Sequence, residues 1–485
     1  MAEREDFLTT EEKLRKYFDG MCVKKDSSLE QFSALSIPSF IRDWFIRKYS
    51  DKEGRLNVAF VSQEIRRVVP RRNEWTAILD KMVSDGQTVK FIGKIEVRRD
   101  IRTGSISFEL PDFGVGYNQT RVPVAVWERC KGPFLSSNGA IWGLLSLAYR
   151  VCTEKNKSVG VIELEDFKSF KPYNTDLTYY KKARRFFDTE EWLNVLLGAI
   201  DYSAAGFKDE EEKLYMLTRL LPFCEKRLNL IELAPKGTGK SYVYSKISKR
   251  GWLASGGVMT RAKMFYDMNL KQEGLVSNYD YVALDEISTI RFGDVSEMQG
   301  ALKGYLESGV YTVGVKEGKG DAGVVLLGNI DKEVMDTNKN MFASLPEVFR
   351  DSALLDRFHG FVEGWKIPRM SEDKKISAWA LNTEYFAEIM HDLRDDPSAR
   401  AIVDKLLKVE NGADTRDVTA VKRIASAYVK LLFPHWESAE DADVQAFEKY
   451  CLLPAVRMRG IIKKQLGLAD SEFAGKTMPQ FALEI

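Results

Sequence analysis

The residues with the most specific chemistry are Ala234-Pro235-Lys236-Gly237-Thr238-Gly239-Lys240-Ser241. The glycines let backbone N–H groups curl around a polyphosphate, Lys240 reaches the β- and γ-phosphates, and the Ser241 hydroxyl suits Mg²⁺. Pro235, Lys236 and Thr238 complete the loop. Its first position, commonly glycine, is Ala234. That residue closes the turn rather than touching phosphate, so the change is tolerable. Downstream, Tyr281-Val282-Ala283-Leu284-Asp285-Glu286 sets two carboxylates behind four apolar residues. Asp285 suits Mg²⁺, and Glu286 suits polarising the water that attacks the γ-phosphate. A third apolar run, Ala322 to Gly328, ends in Asn329, an amide suited to the γ-phosphate or the attacking water. Arg357, after the apolar Leu354-Leu355, suits a guanidinium finger that reaches a neighbouring subunit's nucleotide. These groups together imply Mg²⁺-dependent hydrolysis of a nucleoside triphosphate.

The chemistry requires particular elements. The run Leu228–Leu233 reads as a buried strand and Tyr242–Ile247 as a helix, the strand-loop-helix context of a phosphate loop. The acidic pair and Asn329 then fall at the C-terminal ends of strands, where open α/β sheets bind ligands. Between them, Gly309–Asp321 alternates apolar residues around a Gly/Lys stretch and reads as a β-hairpin. The expected fold is therefore an α/β core with a parallel sheet over residues 171–370. Residues 371–485 are nearly all helical in pattern and form an expected lid. Residues 1–170 form an N-terminal module in which Leu29–Trp75 is helical. There Gln87–Asp100, Ser105–Leu110 and Arg121–Trp127 read as strands of a small β-barrel or sandwich.

The order of phosphate loop, Asp-Glu, polar strand end and Arg resembles the AAA+ ATPases. A hairpin before the Asn329 strand resembles the branch that holds the MCM helicases and the Lon-related ATPases. In MCM-like members a hairpin lysine grips DNA in the pore, which Lys316 and Lys319 match by type and place. Arg416, opening the run Thr415–Ala425, resembles the arginine nucleotide sensor of that group. From Asp188 to Ile367, and again at Tyr450–Arg459, the chain is similar to the BREX phage-exclusion Lon-like family, BrxL. The resemblance implies an ATP-driven, ring-forming, DNA-binding protein of anti-phage defence. Its implied partners are double-stranded DNA, further copies in a hexameric ring, single or stacked, and other defence components. A Lon-type protease needs a nucleophilic Ser and an activating Lys on a fold of its own. No such Ser loop is found after Arg369, so the expectation is a short form that is not a protease. Two alternatives stay open: a protein remodeller using Met264-Phe265-Tyr266 as an aromatic pore loop, and a nucleotide-gated DNA clamp that does not translocate.

Composition sets the wider limits. The chain has 485 residues and is 44% apolar, enough for several cores at about 100–200 residues per domain. Five scattered cysteines and three histidines offer no paired metal-ligand spacing, which points to a reducing compartment. The N-terminus lacks an apolar signal core and no run is long enough to cross a bilayer, so a cytoplasmic, non-membrane protein is expected. A net charge of +1 carries no global message about nucleic acid. Locally, Lys90, Lys94, Arg98, Arg99 and Arg102, interleaved with Phe91 and Phe108, suggest a phosphate-tracking face with stacking aromatics.

Overall fold

A computed structural model describes residues 8–26, 37–100, 103–135, 140–154, 157–171, 173–269 and 271–484. Arg102 of the basic series lies outside them. The chain forms two compact units. One gathers described residues within 1–29, 38–44 and 175–485, the other those within 30–37 and 45–174. Sequence reading grouped residues 1–170 together. In the structure β1 (Cys22–Asp26) joins the larger unit, pairing antiparallel with Ser377–Leu381 so that Cys22 faces Leu381. No local pattern signals a pairing across so long a separation.

The smaller unit is built on β2 (Val89–Arg99), β3 (Ile106–Glu109), β4 (Thr120–Arg121), β5 (Ile141–Glu154) and β6 (Lys157–Ser169), in the order β3-β2-β5-β6-β4. Alternation along β2 sends Phe91 and Ile95 into a core shared with Phe108, Leu145, Leu147 and Trp127. Phe91 and Phe108 are only 3% and 0% exposed, so they offer no stacking face. Period two places Lys90, Lys94 and Arg98 on the opposite side of the strand. The run Arg121–Trp127, expected as a strand, is strand only through Arg121, and Val124–Leu135 is a helix. Pro123 suits a helix start, and Val126, Trp127 and Cys130 pack one face of the helix onto the core. Burial of that face overrides the β-propensity of Val-Ala-Val-Trp.

The larger unit centres on a sheet in which every pairing is parallel. Its first two strands are β7 (Leu230–Ala234) and β8 (Gly251–Ser255). The two-residue strands β9 (Val258–Met259), β10 (Tyr266–Asp267) and β11 (Gln272–Glu273) lead to β12 (Tyr281–Asp285). After β13 (Arg291–Phe292) and the helix Val295–Ser308 comes a hairpin of β14 (Val310–Val313) and β15 (Lys316–Lys319). Then follow β16 (Gly323–Asn329), β17 (Gly360–Glu363) and β18 (Ser377–Leu381). The sheet order is β17-β7-β16-β12-β8. Strands β7 and β12 are buried at every position, as expected for a parallel sheet covered on both faces. Ile231, Val282, Leu284, Val324 and Leu326 share one core with Leu302 and Tyr305 of the helix Val295–Ser308. The helices Ser398–Leu406, Thr415–Leu432 and Leu453–Ala469 follow.

The hairpin differs from its sequence reading. Val313 pairs with Lys316, so the tip is Gly314-Val315, with Gly314 at φ 59°. A two-residue turn needs that backbone conformation and so fixes the register. Lys316 instead lies 5.3 Å over the Tyr266 ring, with its Nζ 3.7 Å from Glu273 Oε1. Lys319 faces Val310 at the base. The outermost side chain is Val315, 96% exposed, with Met268 against the turn. Met264 and Phe265, considered as an aromatic pore loop, are buried in the core.

Candidate active site

Strand order explains why the site assembles. Strand β16 lies between β7, which feeds the phosphate loop, and β12, which ends in the acidic pair. Register sets Asn329 opposite Ala234, directly beside the start of the loop. The loop turns through Gly237 (φ 82°) and Gly239 (φ 78°), and Gly239 opens the helix Lys240–Lys246. A Cβ on Gly239 would lie 2.6 Å from the Tyr202 hydroxyl. Gly239→Ala is therefore expected to weaken ATP binding at least tenfold by equilibrium titration, since strain and overlap both distort the loop.

Four of the expected groups converge at this edge. Lys240 Nζ donates to Asn329 Oδ1 at 3.3 Å and to the Pro235 carbonyl at 3.3 Å. Burial depresses its pKa. Ser241 Oγ donates to Asp285 Oδ2 at 2.5 Å, and Asp285 Oδ1 accepts from the Glu286 N–H at 2.9 Å. Two hard oxygens this close, one a buried carboxylate, fit Mg²⁺, which takes few protein ligands and keeps water and phosphate oxygens. Glu286 is exposed in the left-handed region, at φ 48°. That conformation is costly for a non-glycine residue and is typical of functional turns.

Sequence reading missed what holds the loop from below. Arg219 and Glu232 form a fully buried ion pair, Nη2 to Oε1 at 2.5 Å. The same guanidinium donates to the Thr238 carbonyl at 2.6 Å and to Thr238 Oγ1 at 3.2 Å. A glutamate inside an apolar strand was the available signal. Arg219→Ala is expected to cost about 3–5 kcal/mol by stranding a buried carboxylate. An apolar pair, Arg219→Met with Glu232→Leu, should recover the unfolding midpoint but not ATP affinity. Equal recovery of both would show that the pair does not position the loop.

A second network anchors the loop's helix. Tyr242 Oη donates to Asp201 Oδ2 at 2.5 Å, and Asp201 also meets Arg42 at 2.6 Å and Lys25 at 3.0 Å. Burial works against ionisation there, yet Arg42 and Lys25 hold the Asp201 carboxyl well below its usual range.

Arg357 and Arg416 are not part of this convergence. Strand β17 runs parallel to β7 with Gly360 opposite Leu230, so residues just before Gly360 lie at the N-terminal edge of the sheet. Four residues of β7 separate that edge from the loop, about 13 Å of strand. Arg357 Nε lies 2.9 Å from Glu307 Oε2, and Nη1 donates to the Ala353 carbonyl. Arg416 Nη1 is 2.9 Å from Asp356 Oδ2, and Nη2 is 3.4 Å from Glu307 Oε2. With Arg423 and His359 they line a cavity of about 380 Å³. Burial first, then Arg423 and Arg459, push the His359 pKa well below its ordinary value, so the ring is neutral.

The remaining cations lie elsewhere. Lys90 and Arg99 are exposed. Lys94 is half-buried, and that burial lowers its pKa. Arg98 lies 5.6 Å over the Tyr117 ring. No helix among the described residues is long and apolar enough to cross a membrane.

Comparison with known proteins shows the family. Residues 162–478 match the family profile described as Lon-like protease BrxL-like, ATPase domain. Residues 16–149 match that of the BREX system Lon protease-like protein BrxL, N-terminal. The Lon-like protease BrxL of Escherichia coli O9:H4 (strain HS) is 30% identical over 459 residues, 93% of this chain and 64% of the relative. The Lon-like protease BrxL of Bacillus cereus (strain H3081.97) is 30% identical over 463 residues, 94% of this chain and 67% of the relative. The chain spans about two thirds of the length of these curated relatives.

Proposed function

This chain belongs to the BrxL family of BREX Lon-like proteins, and we propose that it is a ring-forming AAA+ ATPase that engages double-stranded DNA in phage defence. The observation that carries the reading is the meeting of Lys240, Ser241, Asp285 and Asn329 at one sheet edge, with two arginines at the other. Lys240 and the loop N–H groups bind the phosphates, and Asn329 orients the γ-phosphate or the water. Glu286 takes that water's proton as it attacks. Mg²⁺, held by Ser241 and Asp285, would neutralise charge developing on the phosphate oxygens. Arg357 completes the site of the next subunit, in a hexameric ring. Arg416, read from sequence as a nucleotide sensor, lies with Arg357 rather than with its own loop, so it too acts on the neighbour. The β14–β15 hairpin is the pre-sensor hairpin, and the C-terminal helices form the lid.

The DNA contacts proposed are Lys316 and Lys319 on the hairpin and Lys90, Lys94, Arg98 and Arg99 on the smaller unit. The reaction assigned to these residues is ATP hydrolysis, not peptide cleavage. A second reading, polypeptide threading, draws on the exposed apolar tip of Val315 beside Met268. ATP turnover measured with duplex DNA and with an unfolded protein separates the two. Stimulation by DNA, with ATP-dependent retention in a gel shift, supports the first. Stimulation by the unfolded protein alone replaces it with the second.

A further inference from the structure

We infer that Glu307 is a latch that restrains both trans-acting arginines and ties their release to the hairpin. The inference rests on the reading of Arg357 and Arg416 as residues that serve a neighbouring subunit's site.

One carboxylate oxygen, Glu307 Oε2, meets Arg357 Nε at 2.9 Å and Arg416 Nη2 at 3.4 Å. The arginines come from distant segments, one just before β17 and the other in the first turn of the helix Thr415–Leu432. Glu307 lies in the last turn of the helix Val295–Ser308. A helix C-terminus disfavours an anion, and no basic residue of that turn offsets it. The two guanidiniums therefore supply the compensating charge.

The restraint is not symmetric. Asp356, the other partner of Arg416, is also held by buried Arg459 at 2.5 Å. Glu307 is held by these arginines alone among the ion pairs of the described residues, and its side chain is 48% exposed. A phosphate arriving from a neighbour competes directly with Glu307 for both guanidiniums, and it can accept each in a two-pronged geometry that the single Glu307 oxygen does not offer.

The helix end is also the base of the hairpin. Ser308 and Gly309 separate Glu307 from Val310 of β14. Arg227 Nη1 donates to the Ser308 carbonyl at 2.5 Å, and the Gly320 N–H donates to the Gly309 carbonyl at 2.9 Å. When the arginines leave Glu307, its carboxylate loses both ion-pair partners at a helix end where only Arg227, on the Ser308 carbonyl, still offsets the negative charge, and this is the point where the hairpin begins. Nucleotide at one subunit is thereby sensed by the hairpin of the next.

The test compares ATP turnover of Glu307→Gln, Arg357→Ala and the double variant with wild type, each with and without duplex DNA. Glu307→Gln is expected to raise DNA-independent turnover about twofold to fivefold, the range a half-exposed ion pair is worth. It should shrink the DNA-stimulated ratio, and the double variant should fall to the level of Arg357→Ala. Should Glu307→Gln melt below wild type, Glu307→Asp, which keeps the charge but withdraws it, must move turnover in the same direction. Turnover unchanged or lowered in a stably folded variant overturns the latch, since Glu307 would then be inert or would orient the arginines productively. Arg357→Ala separates the two claims: full activity there ends the trans reading itself, whatever Glu307→Gln does.

Discussion

Glu286→Gln is expected to lower steady-state ATP hydrolysis about 10²–10⁴-fold, the range for loss of a general base, while ATP affinity stays within a few-fold. Glu286 is exposed at the strand end, and its backbone N–H, not its side chain, contacts Asp285. The isosteric amide therefore leaves Ser241, Asp285 and Lys240 as they are and removes only the proton acceptor. Turnover and equilibrium ATP binding measured on the same preparation check this. A variant that hydrolyses ATP within about threefold of wild type would remove Glu286 from the chemistry and point to another base. A variant that no longer binds ATP would show that the Glu286 carboxylate supports nucleotide or Mg²⁺ binding rather than serving as the base alone.

Arg357→Ala is expected to reduce turnover by roughly 10³-fold or more, as loss of an arginine finger does. The residue sits at the sheet edge opposite its own phosphate loop and is paired with Glu307. Its removal therefore leaves the chain's own binding groups untouched. The loss should fall on kcat, with ATP binding to isolated subunits unchanged. An equal loss of binding would mean that the side chain supports the fold. Its partner Glu307 is about half exposed, however, and an ion pair open to water on one side contributes little to stability.

Legibility followed how local each constraint is. The phosphate loop was readable because its chemistry demands particular residue types at fixed spacing on either side of a turn. The acidic pair and Asn329 were readable as strand ends, and sheet order then brought Asn329 against Lys240. The Arg219–Glu232 support was not readable, because two charges 13 residues apart carry no motif until the helix folds over the strand. Likewise Lys25, Arg42 and Asp201 reach Tyr242 only through tertiary pairing. The hairpin was legible as an element but not in register, since the turn at Gly314 decides which residue stands at the tip. Phe91 and Phe108 show the same limit. Alternation gave two faces to β2, and only the packing of the smaller unit decided which one is inside.

The most direct test of a shared, inter-subunit site is to mix two inactive variants, Lys240→Ala and Arg357→Ala, and measure ATP turnover. On the proposed inter-subunit site, each alone is expected to disable every site of a ring built from it. In a random one-to-one mixture joined by head-to-tail interfaces, about one quarter of sites pair an intact phosphate loop with an intact arginine. Recovery to about that fraction of wild-type turnover is the predicted result. No recovery, with subunit exchange demonstrated by labelled chains, would contradict it.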